Sequence, residues 1–416
     1  SETGSNAAEL KEMALARIRQ LSCHEVGHTL GMGHNYAASV NDRASVMDYP
    51  SMLIKLDAQG KIDLSDAYAT GIGEWDKVSI AYGYQDFPDG VDEEKQLRAI
   101  LDTAFSGGLV FLAGQDAGVS SAHPLAATWD NGKNPVDELD RVLKVRRKAL
   151  DTFTERRIPF HTPLSLLEDP LVPVYLYHRY QAEAAASVLG GMDYSHKLRG
   201  DVQGLPQIIS GSEQRRALKS LIRTLHPMEL AIPDNILDLI PPRAPGYRGG
   251  EVFPGFTGST FDPLGAAETA ADLTVGLILH PERAARLVDF HSRQPDTPAL
   301  AEVIDVLVKN SWQVTHPDSY FSEIQRTVND VVLKHLMGLA VEEGTSSQVR
   351  AVANLKLEEL KKWLDTHFDG EKDPGQKAHF HYGISLIEQF QQNPQQFKLV
   401  RPLSAPAGAP IGTLRR

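Results

Sequence analysis

One short stretch constrains this chain more than any other: residues 24–34 read His-Glu-Val-Gly-His-Thr-Leu-Gly-Met-Gly-His. Two histidines four apart project within about 40° of each other on a helix, near enough to hold one metal ion. Glu25 lies about 100° round from His24 and about 60° from His28, beside the metal and not behind it. That placement suits a general base acting on water better than a ligand. Gly31 can take positive φ, end the helix and let the chain double back, bringing in His34 as a third ligand. Three protein ligands leave a position for water, the arrangement of a catalytic zinc site and not of a closed structural one. A bare H-E-x-x-H is a weak signal, because a lone histidine is usually an ordinary surface or core residue. The glycine and third histidine at fixed spacing make this one specific. The expectation is Zn2+ held by His24, His28 and His34.

Thirteen residues past His34, Met47 stands in the segment Ser45-Val46-Met47-Asp48-Tyr49-Pro50. Together with the long motif this resembles the Met-turn of the metzincin peptidases. The resemblance rests on His24, Glu25, His28, Gly31, His34, Met47 and Tyr49, and covers residues from about 8 to 85. It implies a zinc-dependent peptidase that attacks peptide bonds with a zinc-bound water, Glu25 serving as general base. It further implies that Met47 is an apolar floor under the imidazoles. Tyr49 matches the tyrosine by which astacin-type and serralysin-type metzincins reach the metal or the developing oxyanion. The layout is also similar to that of large bacterial zinc metallopeptidases with a metzincin-like core and a long helical C-terminal region. Gly73-Glu74-Trp75-Asp76, Trp129-Asp130-Asn131-Gly132 and Arg179-Tyr180-Gln181 carry that second likeness. Those proteins are exported, so the likeness implies a periplasmic or extracellular location. Metzincins place a twisted sheet before the zinc helix, whereas the two dozen or so residues before His24 read as helix from Ala8. The resemblance therefore implies the C-terminal part of a longer protein, whose upstream domain would be a partner in forming the cleft.

A net charge of −12 argues against nucleic acid or an anionic membrane as the main partner. No run approaches 18 apolar residues, so no membrane span is expected. Peptide or protein substrates fit this balance. So do two rivals: a zinc amidase or deacylase acting on non-peptide amides, and a helical binding module whose zinc is not catalytic. With a single cysteine, Cys23, no internal disulfide can form. On a helical wheel Cys23 falls with Val26, Gly27 and Leu30 on the back of the zinc helix, which predicts a buried thiol and not a ligand.

The fold class expected is mainly α: part of a metzincin-like catalytic domain plus a larger irregular helical domain. The divisions expected are residues 1–87 (zinc-site region), 88–135 (turn-rich connector), 136–401 (helical domain) and 402–416 (extended tail). A helix is expected to open at Gly71–Asp76 and run to about Tyr84 with Trp75 as its core anchor, and the metzincin resemblance implies that it packs beneath the site. Residues 92–105 read as helix and Gly108–Ala113 as the best strand candidate. Residues 114–135 form a long turn-rich segment; its Asp116, Asp130 and Asn131 lack calcium-loop spacing, so they are expected to bond within their own turns. Helices are expected at 136–156, 169–189, 211–226, 228–240, 263–292, 298–310, 318–343, 346–368 and 374–392. Between them, residues 241–263 hold a proline- and glycine-rich loop with interspersed aromatics, either a pocket wall or a surface loop pinned by those rings.

Overall fold

A computed structural model describes residues 7–247, 250–317, 319–394, 400–406 and 408. The polar start at 1–6 and most of the expected tail lie outside them. Among the described residues 56% are helical and the sheets are two small antiparallel pairs, so the protein is mainly α, as its periodicity predicts. Among the described residues no helix is long and apolar enough to cross a membrane. The chain divides into two compact units.

The first unit takes in residues up to Thr152, Arg156–Pro159 and Tyr180–Ile209. It begins with α1 (Ala7–Thr29), the helix that carries the zinc motif. A two-residue hairpin follows, β1 (Lys55–Leu56) against β2 (Ile62–Asp63), closed through Gly60 at φ 71°. Then come α2 (Glu74–Tyr84), α3 (Glu93–Ser106) and α4 (Pro135–Asp151). Asn134 caps α4, its side chain accepting from the N–H groups of Val136 and Asp137, and Pro135 sits where a missing N–H costs nothing. A second small ladder pairs β3 (Met192–Asp193) with β4 (Gln207–Ile208).

Trp75 is the core anchor expected of it: it is buried, stacks on Phe111 at 5.2 Å, and packs with Ala38 and Ala44. The strand expected at 108–113 does not form. The partner of the segment is a loop and not a strand: the Tyr36 N–H donates to the Leu112 carbonyl at 2.9 Å. The Asn35 side chain does the work of a ladder, donating from Nδ2 to the Val110 carbonyl (2.9 Å) and accepting from the Leu112 N–H at Oδ1 (3.1 Å).

The second unit takes in Phe153–Glu155, Phe160–Arg179 and residues from Ser210 onward. Its centre is helix Ser319–Val341, packed against Pro263–Ile278 and Ser347–Phe368, with Pro374–Gln392 against the last of these. Three expected helices are broken. The 169–189 stretch splits into Glu168–Tyr175 and Arg179–Ala186; 228–240 into two single turns around Pro233; and 263–292 at Pro281, which opens a new helix. A proline inside the apolar period removes a backbone donor and clashes with the preceding turn, so at Pro233 and Pro281 the period continues while the helix does not. The 241–263 loop is pinned: Arg243 donates to Asp169 at 2.9 Å, the Phe253 N–H to Glu168 at 2.9 Å, and the Phe253 ring meets Tyr175 edge-on at 5.4 Å.

Candidate metal centre

Helix α1 delivers His24 and His28 one turn apart, and Gly31 ends it at φ 80°. The Gly31 N–H bonds to the His28 carbonyl (3.0 Å) and the Met32 N–H to Gly27 (3.1 Å), so the chain reverses and returns His34 to the same side. One nitrogen from each of the three imidazoles lies within 4.8 Å of the others. The tautomers are set from behind. His24 Nδ1 faces the Val46 carbonyl at 2.7 Å and His28 Nδ1 the Met32 carbonyl at 3.0 Å. A carbonyl only accepts, so each Nδ1 holds the proton and each Nε2 presents a lone pair.

Those lone pairs fit a cation. His28 Nε2 and His34 Nε2 are 3.2 Å apart, and His24 Nε2 is enclosed with no protein partner. A buried acceptor of this kind is costly unless something with positive charge meets it. Burial also lowers the pKa of His24 and His34, and their mutual proximity lowers that of His34 further, so both favour the neutral form that binds metal. His24 is buried, His34 half-buried and His28 exposed, which leaves one side of the cluster open. Glu25 is exposed on α1. Its charge acts on His24 and His34, favouring their protonated forms, and adds to burial in raising the pKa of the Tyr49 phenol.

The 45–50 segment packs under this cluster. Met47 is 1% exposed, and its sulfur lies against the backbone of Gly27, between the two helical histidines. Asp76 on α2 fixes the turn: it accepts from Ser45 Oγ (2.6 Å), the Val46 N–H (2.9 Å) and the Gly73 N–H (2.7 Å). Asn35 adds its N–H to the Met47 carbonyl at 3.2 Å, tying the residue after His34 to the floor. Tyr49 packs its ring on His24 (4.4 Å between centroids) and His34 (4.8 Å). Tyr36 stacks on His34 at 5.1 Å, 6.1 Å from Tyr49, and burial pushes its phenol up to about 12.

All seven residues that carried the sequence reading thus converge on one place. Sequence reasoning missed Asn35, Tyr36 and Asp76, and missed the part played by the 129–131 turn. Trp129 donates its N–H to the Tyr49 carbonyl (2.8 Å) and Asn131 its Nδ2 to the Ser51 carbonyl (3.0 Å). Asp130 is buried near Asp48; burial pushes Asp48 up to about 7, and burial together with the Asp48 charge pushes Asp130 up as well. The Asn131 side chain thus reaches across the site and not into its own turn, contrary to expectation, while the Asp130 carboxyl interacts with its own backbone N–H and with Ser39. Asp116 does bond within its own turn, to the Ala113 N–H, but it also takes Tyr194 Oη and His196 Nε2.

The expectation for Cys23 needs correction. The thiol is half-buried, because its flank of α1 faces outward: Val26 is 55% exposed and Leu30 38%, while Gly27 alone of that sector is buried, against Met47. The wheel gave the sector but not which side the segment around Met47 would cover.

No curated protein and no solved structure matches the chain. A family model described as Met-zincin matches residues 6–318, well beyond the stretch that holds the zinc motif and its floor. A match over more than half of the chain cannot rest on the eleven-residue motif, and the cluster at its heart has the geometry that the description requires. The chain belongs to the Met-zincin family of metzincin-type zinc metallopeptidases.

Proposed function

We propose that this protein is a zinc-dependent peptidase in which His24, His28 and His34 hold the metal, Glu25 moves protons, Tyr49 stabilises the oxyanion and Met47 floors the site. The observation that carries the reading is the fixed tautomer set: two histidines bonded through Nδ1 to carbonyls, with three nitrogens converging on an open side. Zinc at such a site supplies Lewis-acid polarisation of the carbonyl and makes water available as a nucleophile near neutral pH. The chain's own residues do the rest. Glu25, exposed beside the cluster, takes a proton from the attacking water as the new C–O bond forms. It returns that proton to the leaving amine as the C–N bond breaks. Tyr49 Oη donates to the developing oxyanion, a contribution of about 2.7–4 kcal/mol for donors of this type. The Trp129 N–H holds Tyr49 in place, and Asp76 and Asn35 hold the Met-turn.

Elemental analysis followed by a digest of a mixed peptide library tests this. The expected result is one zinc per chain and peptide cleavage that a chelator abolishes and zinc restores. Cleavage of non-peptide amides alone would make the protein an amidase or deacylase. Stoichiometric zinc with no hydrolysis of either would make the helical unit a binding module. Export to the periplasm or the extracellular space goes with the peptidase reading and is tested by fractionating cells that express the protein.

A further inference from the structure

We infer that the indole of Trp129 is a specificity-determining surface of the site, receiving an aromatic or large apolar side chain next to the bond that is cleaved. The inference rests on the peptidase reading above and names the substrate class that such a site would prefer.

Trp129 has a backbone φ of 68°. A bulky side chain in that region is a conformational outlier, and glycine would hold it without strain. Strain kept at one residue beside a reactive centre points to a use for its side chain. Bracing does not require the ring. The turn is held by the Trp129 N–H, by Asn131 Nδ2 on Ser51, and by Gln181 Oε1, which accepts from the Asn131 N–H at 3.2 Å. The indole itself is only half-buried, lying on Tyr49 at 4.9 Å and 28°.

It belongs to a chain of ring contacts that starts at the histidines. Tyr49 is 4.4 Å from His24, Trp129 is 4.9 Å from Tyr49, and Tyr180 is 6.3 Å from Trp129. An extended peptide advances about 3.3–3.6 Å per residue, so a chain placed over the histidines would bring a neighbouring side chain level with the indole. The flat apolar face suits an aromatic partner at offset-stacked or edge distance. The carboxyls of Asp48, Asp130 and Glu138 beside the turn are all buried, and Glu138 is paired with Arg141.

The test uses paired peptides that differ only in having Phe or Ala beside the scissile bond. Wild-type protein should favour the Phe peptide at least tenfold in kcat/KM. Trp129→Gly, which relieves the backbone, should bring that preference to within about threefold, with zinc content and Tm no lower than wild type. Trp129→Phe should keep most of it. The same peptides are titrated calorimetrically into zinc-loaded Glu25→Gln protein with and without Trp129→Gly, so that binding is read without turnover. A Phe-over-Ala binding preference that Trp129→Gly removes supports the inference even if no peptide is cleaved, an outcome that would sink the peptidase reading alone. A preference unchanged by Trp129→Gly, or an equal loss for both peptides, overturns it. If Trp129→Gly does not fold, Trp129→Leu is compared in the same way, with the same outcomes deciding.

Discussion

The sulfur of Met47 lies so close to the backbone of Gly27 that a β-carbon on residue 27 would come within 2.3 Å of it. Only glycine lets Met47 reach the helix between His24 and His28. Gly27→Ala should therefore force the sulfur toward the imidazoles. Overpacking of this sort costs about 1–3 kcal/mol, and zinc affinity should fall roughly tenfold or more in step with it. Thermal unfolding and competition with a zinc chelator measure both; wild-type values in the variant would mean that the floor is free to move.

Asp76 connects α2 to the 45–50 turn through two hydrogen bonds, from Ser45 Oγ and the Val46 N–H, and caps its own helix by accepting from the Gly73 N–H. Asp76→Ala leaves these donors unsatisfied in a buried place and should cost about 3 kcal/mol or more. Asp76→Asn, which keeps an acceptor oxygen, should cost less. Urea denaturation of both variants checks the order, and equal losses would show that packing, not bonding, holds the turn.

The carboxyls of Asp48 and Asp130 are buried together and both hold their protons to higher pH than free side chains do. Folding therefore takes up protons, so this contribution to stability is complete below the ordinary carboxylate range near 4 and is lost as pH rises through about 7. Asp130→Asn removes one of the two acids. Its Tm should fall less than that of wild type between pH 5 and pH 8, and an equal or steeper fall would show that the pair is not shared in this way.

The reach of sequence reasoning was uneven here for physical reasons. The zinc helix, Gly31 and His34 were legible because their chemistry is local: helix period and a positive φ fix the spacing. Trp75 was legible as a core residue from its helical period. Asn35, Asp76 and the 129–131 turn were not, because each acts through a partner 30 to 80 residues away, such as Asp76 with Val46 or Asn131 with Ser51. The strand expected at 108–113 failed for a related reason. Its β-like composition was real, but a side chain, Asn35, supplied the pairing that a second strand would have given.

Tyr49→Phe removes the phenol while leaving the ring between His24, His34 and Trp129. Zinc content and Tm should stay near wild type, and kcat should drop by about 10²–10³, the cost of losing one oxyanion donor. Unchanged turnover would leave Tyr49 with a packing role only.

Glu25 bears the central claim, since in the proposed reaction it alone moves protons. In zinc-loaded Glu25→Gln protein, elemental analysis should still find one zinc per chain, while hydrolysis of the best library peptide falls by about 10² or more, the range for a positioned general base. Hydrolysis at the wild-type rate with zinc retained would contradict the account.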